Sequence, residues 1–429
     1  MRRIFFSLFI VFYCVYFQAI SADCQTLYSL QDLCREANKN AETIKIADED
    51  LFIAEQEKKR ALSVLIPRAT LFGSHLNYKN QDAFSPDSTT TGAKLTQSFT
   101  LNGRELIAYA VTKKGIEKAG FSKEAIRSDY LFQVAQYYFQ TLSAKRKVEI
   151  AQADVDRLQT HKNSVTEKLS VGNVTKTALY RAEAEHSRSL TDRIVAENAV
   201  GQNKANLVRL VGIHDDFNVS ADDIQNMDDF TITLEEIKTQ ALKSRYEIKE
   251  AKKAVEIATQ TITYEKGDYW PSLSLEGGYK ETDISYSSLD YDTENTYIQA
   301  ELVFTLYDGG LRKAQVHQKK AEERKAKQAL ALEEKNIVFE SKVAFLEFET
   351  ARNALDNLQH ELKSAQENYK AVEMQFKYGM ADSTDMMDAN TLLLQSERRI
   401  TDAEYTLYLA VLKILYTKGD LLSYLLKAS

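Results

Sequence analysis

Hydrophobic and polar positions along this chain change period twice, and in the same order each time. From about residue 40 to 66, and again from 244 to 269, apolar residues recur at helical spacing; both stretches stop just before a proline, Pro67 and Pro271. The residue before a proline is pushed toward extended backbone, so each proline marks a helix end. Beyond it the period becomes two. In 271–280, Leu273, Leu275, Gly277 and Tyr279 alternate with polar residues, and in 297–306 so do Ile298, Ala300, Leu302, Phe304 and Leu306. The first copy reads Thr70, Phe72, Ser74, Leu76 and Tyr78, then Ala93, Leu95, Phe99 and Leu101. These alternations predict strands at about 67–80, 92–101, 271–282 and 296–307, with polar loops at 81–91 and 283–295 between them.

After the strands the period returns to helical and stays there. Gly103 and Gly309 open helices expected over about 105–168 and 309–377, with no proline inside either. Val148, Ala151, Val155, Leu158, Val165 and Leu169 make a core seam of three-and-four spacing. Gly172 and Gly379 interrupt the pattern as tight turns, and helices follow over about 175–211 and 381–418. At about 1.5 Å per residue each long helix is a rod near 100 Å. The shorter helices, stacked end to end, match its length. Short capped helices begin at Ser29 and Thr233.

The two series are one pattern written twice. Pro67 and Pro271 lie 204 residues apart, as do Leu30 and Leu234, Ala37 and Ala241, Ile44 and Ile248, and Gly73 and Gly277. The period is far longer than a solenoid unit, so a whole subdomain is duplicated. The expected division is a secretory signal at 1–22, a first repeat at 23–220 and a second at 221–429, with an Asn- and Asp-rich link from Gly212 to Phe230.

Composition agrees: only 15 glycines and 3 prolines in 429 residues suit a mainly helical protein with a small β part. Arg2 and Arg3 precede an apolar run from Ile4 to Ile20, with small residues at Ala19, Ser21 and Ala22, which reads as a cleavable export signal. Its loss takes the formal charge from −7 to −9, and no clustered basic patch suggests nucleic acid. Cys24 and Cys34 would then face an oxidising compartment, leaving three readings open: a disulfide, a lipid on Cys24, or two incidental cysteines. The six histidines are scattered and no phosphate loop or nucleophile elbow is present. An enzyme is not expected, nor a cofactor or bound metal.

No later stretch is apolar enough to span a bilayer as a helix, so membrane entry would use strands. Four strands cannot close a barrel alone, since the smallest single-chain barrels use about eight. Either the sheet is soluble or several chains pool their strands.

In the order and doubling of these signals the chain resembles the TolC-like outer-membrane factors of efflux and type I secretion systems. The carriers are the strand starts at Pro67 and Pro271, the corner Leu306-Tyr307-Asp308-Gly309-Gly310, the Gly172 and Gly379 turns, and the segment from Tyr378 to Ala389. The resemblance implies a homotrimer whose twelve strands close a barrel in outer-membrane lipid and whose helices form a periplasmic tunnel. It implies a passive duct working with a periplasmic adaptor and an inner-membrane transporter of RND or ABC type. The turns at Gly172, Asn173, Gly379 and Met380 would meet the adaptor. Asp385 and Asp388 match the family's tunnel-entrance aspartates, and Phe376 stands where one member has a gate tyrosine. Ala178 and Ala381 occupy latch positions of that member, so its latch is absent here. The alternative is a periplasmic coiled-coil adaptor or scaffold that never enters a bilayer.

Overall fold

A computed structural model describes residues 26–79, 86–213, 217–220, 230–286 and 289–426. The expected signal segment and Cys24 lie outside the described residues, as does much of the expected link. The elements run β1 (Thr26–Tyr28), α1 (Leu30–Asn40), α2 (Glu42–Ser63), β2 (Arg68–Leu76), β3 (Asp87–Thr100), α3 (Arg104–Ser170), α4 (Lys176–Val211) and β4 (Phe217–Val219). The second copy follows with α5 (Leu234–Ser244), α6 (Tyr246–Glu265), a 3-10 turn (Lys266–Tyr269), β5 (Ser272–Tyr286), β6 (Leu289–Val303), α7 (Leu311–Lys377), α8 (Ser383–Lys418) and α9 (Leu421–Leu425).

Two 67-residue helices, α3 and α7, are the spines of the molecule. Helices α2 and α4 pack along α3, while α6 and α8 lie between α3 and α7. The order across the layer is therefore α2 with α4, then α3, then α6 with α8, then α7. Both short helices, α1 and α5, open with a complete capping box, Ser29 with Asp32 and Thr233 with Glu236. The core is thickest at mid-height, where Leu33, Leu131, Tyr138, Phe139, Leu207 and Ile414 are buried together. Cys34 sits in this core. The α3 seam is in place, with Ala151, Val155, Leu158 and Val165 buried.

β2, β3, β5 and β6 form one antiparallel sheet in that order. Register decides which residues share a face. Leu95 stands opposite Ala69 and Gly277, Ala93 opposite Leu71 and Tyr279, and Ile298 opposite Gly277. One face therefore carries Ala69, Leu71, Ala93, Leu95, Leu273, Leu275, Ile298, Ala300 and Leu302. None of the described residues covers it: Leu71 is 85% exposed and Ile298 90%. The other face carries Thr96, Lys94, Glu276 and Tyr297, joined by hydrogen bonds.

Three expectations change. In β2 the apolar face is that of Ala69 and Leu71, because pairing sets Leu71 beside Ala93; Phe72, expected on that face, lies on the polar one, opposite Gly92. β3 begins at Asp87, β5 runs to Tyr286 and β6 begins at Leu289, so within the expected loops at 81–91 and 283–295 the described residues 87–91, 283–286 and 289–295 are strand. The Thr-rich run 89–91 shows no apolar alternation yet has good strand propensity, while in the second hairpin Ile284 stands opposite Tyr291. Lastly, the link between copies contains β4, which pairs in parallel with β1. Three residues are too few to show a period.

Candidate functional site

The end of the rod away from the sheet is made by two copies of one turn. After α3, Gly172 adopts φ +77° and Asn173 N donates to Lys168 O at 2.8 Å; after α7, Gly379 adopts φ +77° and Met380 N donates to Gln375 O at 2.8 Å. This is the glycine-terminated helix end in which the left-handed residue lets the chain turn back on the last carbonyls. Three residues after each glycine comes the cap of the returning helix, Thr175 for α4 and Asp382 for α8. Val171, Tyr378 and Met380 are exposed at the tips, Met380 to 72%.

Asp385 and Asp388 are both exposed near the start of α8. They differ in their bonding. Asp382 accepts from Thr384 N (2.6 Å) and Asp385 N (2.9 Å), and Asp385 accepts in return from Asp382 N (2.9 Å). Those backbone donors hold the Asp382 carboxyl below its ordinary range. The Asp385 carboxylate is thus occupied in a capping box, whereas Asp388, one turn on, is outside it.

Phe376, expected at the constriction, is only 5% exposed. Its ring packs with Val165, Ala182 and Met386 and lies 5.0 Å from the His161 ring. Lys168 lies over it, 3.9 Å from the ring centroid, and also donates to the Phe376 carbonyl. Having no hydroxyl, the ring loses nothing by burial and fills the space between the turns. Within one protomer it does not face outward.

Further residues of this end went unread in the sequence. His161 Nε2 is hydrogen-bonded to Ser383 Oγ at 2.9 Å, joining α3 to the first residue of α8. Burial first, and then the Lys168 charge, push its pKa down to about 4. Higher up, Arg157 grips Glu397 with two hydrogen bonds (3.2 and 3.0 Å) and donates to Asn390 Oδ1 (3.0 Å), while Asn390 Nδ2 donates to buried Asp154 (2.8 Å). Burial and Glu373 push nearby Tyr369 up to about 12. Arg181 donates to Thr384 Oγ1 at 3.2 Å, and Arg398 to Asp192 at 3.2 Å. Single charges on long polar helices give no sequence signal; only their partners across the two copies set them apart.

Ala178 and Ala381 leave a groove between the turns, with a volume of about 1010 Å³. At the opposite end, Pro67 and Pro271 immediately precede β2 and β5, and Pro271 O accepts from Leu101 N at 3.0 Å. Asp308 accepts from Gly310 N (3.0 Å), Arg312 N (2.9 Å) and Arg312 Nε (2.7 Å), tying the Gly309–Gly310 corner to α7. Among the described residues no cluster of metal-ligating side chains is found.

Residues 238–415 match the model of the outer membrane efflux protein family. Outer membrane protein TolC of Escherichia coli (strain K12) is 20% identical over 409 residues, spanning 92% of this chain and 82% of the relative. Among solved structures, the Campylobacter jejuni CmeC outer membrane channel superposes with a TM-score of 0.78 at 18% identity, over 91% of this chain and 86% of that one. The open state of the Neisseria gonorrhoeae MtrE outer membrane channel gives 0.77 at 18%, over 91% and 89%. The fold is that of these channels.

Proposed function

Taking as premise that the chain is a TolC-like protein of the outer-membrane efflux family, we propose that it is the exit duct of a tripartite efflux or type I secretion assembly. Three protomers close twelve strands into a barrel in outer-membrane lipid, and their helices enclose a tunnel in the periplasm. An inner-membrane transporter, of RND or ABC type, supplies the energy, and a periplasmic adaptor seats on the Gly172–Asn173 and Gly379–Met380 turns.

The observation that carries this reading is the open sheet. It is apolar and uncovered on one face and polar on the other, and its strands of 9 to 15 residues suit the roughly 9–11 that cross a bilayer at a tilt. Its edges, the outer sides of β2 and β6, have no pairing strand among the described residues. The helical layer has matching free edges: α7 exposes Leu332, Phe339 and Leu346 at spacings of seven, and α2 exposes Ile46 and Ile53 at the same spacing. An α7–β6 edge meeting an α2–β2 edge is a head-to-tail contact, which must close into a ring to leave no edge. A scaffold that stays in water would leave the apolar sheet face unburied.

At the turns, Asp388 is the residue best placed to present a ring of carboxylates at the tunnel mouth, with Asp385 beside it in its cap. Rings of carboxylates favour cations. Planar-bilayer conductance of the purified protein tests the proposal. A cation-selective pore whose selectivity or divalent block weakens in Asp388→Ala is the expected result. A water-soluble monomer that needs no detergent and makes no pore would overturn it.

A further inference from the structure

Two aromatic rings on the polar face of the sheet, one in each hairpin, come from an edge strand to lie over a glycine of a central strand. Phe72 of β2 stands opposite Gly92 of β3, and Tyr297 of β6 stands opposite Gly278 of β5. A Cβ at Gly92 would lie 2.5 Å from Tyr279 O and 2.7 Å from Phe72 Cζ, and one at Gly278 would lie 2.9 Å from Tyr297 Oη, 3.0 Å from its Cζ and 3.1 Å from Ala93 O. No real Cβ sits comfortably at such distances, so the rings occupy the room the missing side chains leave. Both rings are half-buried although their strands are at the edge of the sheet. They lie down along the wall rather than standing off it.

Tyr297 is also tethered. Its hydroxyl donates to Glu276 Oε1 at 2.7 Å, and Glu276 Oε2 accepts from Lys94 Nζ at 3.1 Å and Thr96 Oγ1 at 3.2 Å. Lys94 lies on β3, Glu276 on β5 and Tyr297 on β6, so the tether crosses three strands. The neutral ring of Phe72 has no such anchor and depends on its glycine alone.

We propose that these ring-on-glycine pairs set the clear width of the exit through the sheet: Gly278 and the Glu276 tether hold Tyr297 flat, and Gly92 does the same for Phe72. The inference rests on the channel reading, in which the polar face lines the bore. Ring closure would bring three copies of each aromatic to the same height. Rings lying flat leave that height open; rings standing up would converge on the axis and exclude bulky cargo. Gly278 and Glu276 are positioning residues, and the side chain they position is the size gate.

A cross-strand aromatic also shields a glycine simply by covering it, and that role alone would alter stability without altering width. Polymer exclusion separates the two. Neutral polyethylene glycols of graded size, added to the barrel side of trimers in a planar bilayer, lower the conductance only if they enter from that side. Gly278→Ala should shift the size cutoff to smaller polymers, and Gly278→Ala with Tyr297→Ala should return it to the wild-type value or beyond. Tyr297→Phe, which keeps the ring and removes the tether, should also lower the cutoff, and it decides the matter if Gly278→Ala does not assemble. Conducting trimers with an unchanged cutoff in both Gly278→Ala and Tyr297→Phe would overturn the proposal. Folded wild-type trimers that never conduct would instead remove the channel reading on which it stands.

Discussion

Asp385 and Asp388, three residues apart and proposed to line the tunnel mouth, are chemically unequal, and that inequality can be measured. Asp385 serves the first turn of α8 through its capping box. Its replacement by alanine should cost about 1 kcal/mol of stability, seen as a lower unfolding midpoint, with a smaller effect on conductance. Asp388→Ala should do the reverse. His161 gives a prediction about pH. Its folded pKa is lowered to about 4, below the ordinary value of about 6.5, so the unfolded chain binds the proton more readily. The stabilisation is therefore complete above about pH 6.5 and is lost as pH falls toward 4, by about 3 kcal/mol in full. After correction for its intrinsic pH dependence, amide hydrogen exchange over 376–384 should quicken between pH 7 and pH 5 in the wild type and stay level in His161→Gln. Equal acceleration in both would exclude His161 as the cause.

At the scale of elements, the lower halves of the two copies are held together by polar pins. Arg157 with Glu397, and Asn390 with Asp154, join α3 to α8. The pins are neither fully exposed nor fully dry, so Arg157→Ala should cost about 2 kcal/mol, between the values typical of surface and buried pairs. A larger loss than in Arg399→Ala, whose partner Glu361 is an exposed contact, would confirm the ranking when the two unfolding curves are compared. The turns depend on backbone rather than side chain. Alanine at Gly172 or Gly379 would have to adopt φ near +77°, at about 1–2 kcal/mol each. Nothing surrounds either position within 4 Å, so that strain, not a clash, is what the melting curve would report.

For the whole molecule, the free edges make a prediction about assembly. Phe339 is 68% exposed in the middle of the α7 stripe, and Ile53 is its counterpart in character on α2. Phe339→Glu or Ile53→Glu should leave the helical content of the protomer intact while reducing the trimer fraction in detergent, read by light scattering. Trimers that persist in both variants would move the contact elsewhere. The same logic explains why the protomer tolerates so much uncovered apolar surface. In the proposed trimer the sheet face would meet lipid and the helix edges another copy, so neither would be a core left unfinished.

The sequence determined the duplication, the two long helices, the four strands and the two glycine turns, because each is encoded locally, in a period, a proline or a glycine. It also carried the resemblance, through the order of those signals. What it could not decide was which side chains meet. Phe72 has the same alternation as its neighbours, and only the pairing of β2 with β3 turned it to the polar face. Phe376 and Asp385 occupy family positions, yet packing made one a core residue and the capping box engaged the other. β1 and β4 are too short to show a period, and only their pairing across almost 200 residues makes them strands. A pattern along one element fixes its form; partners hundreds of residues away fix the role of each side chain, and those are chosen only when the elements pack.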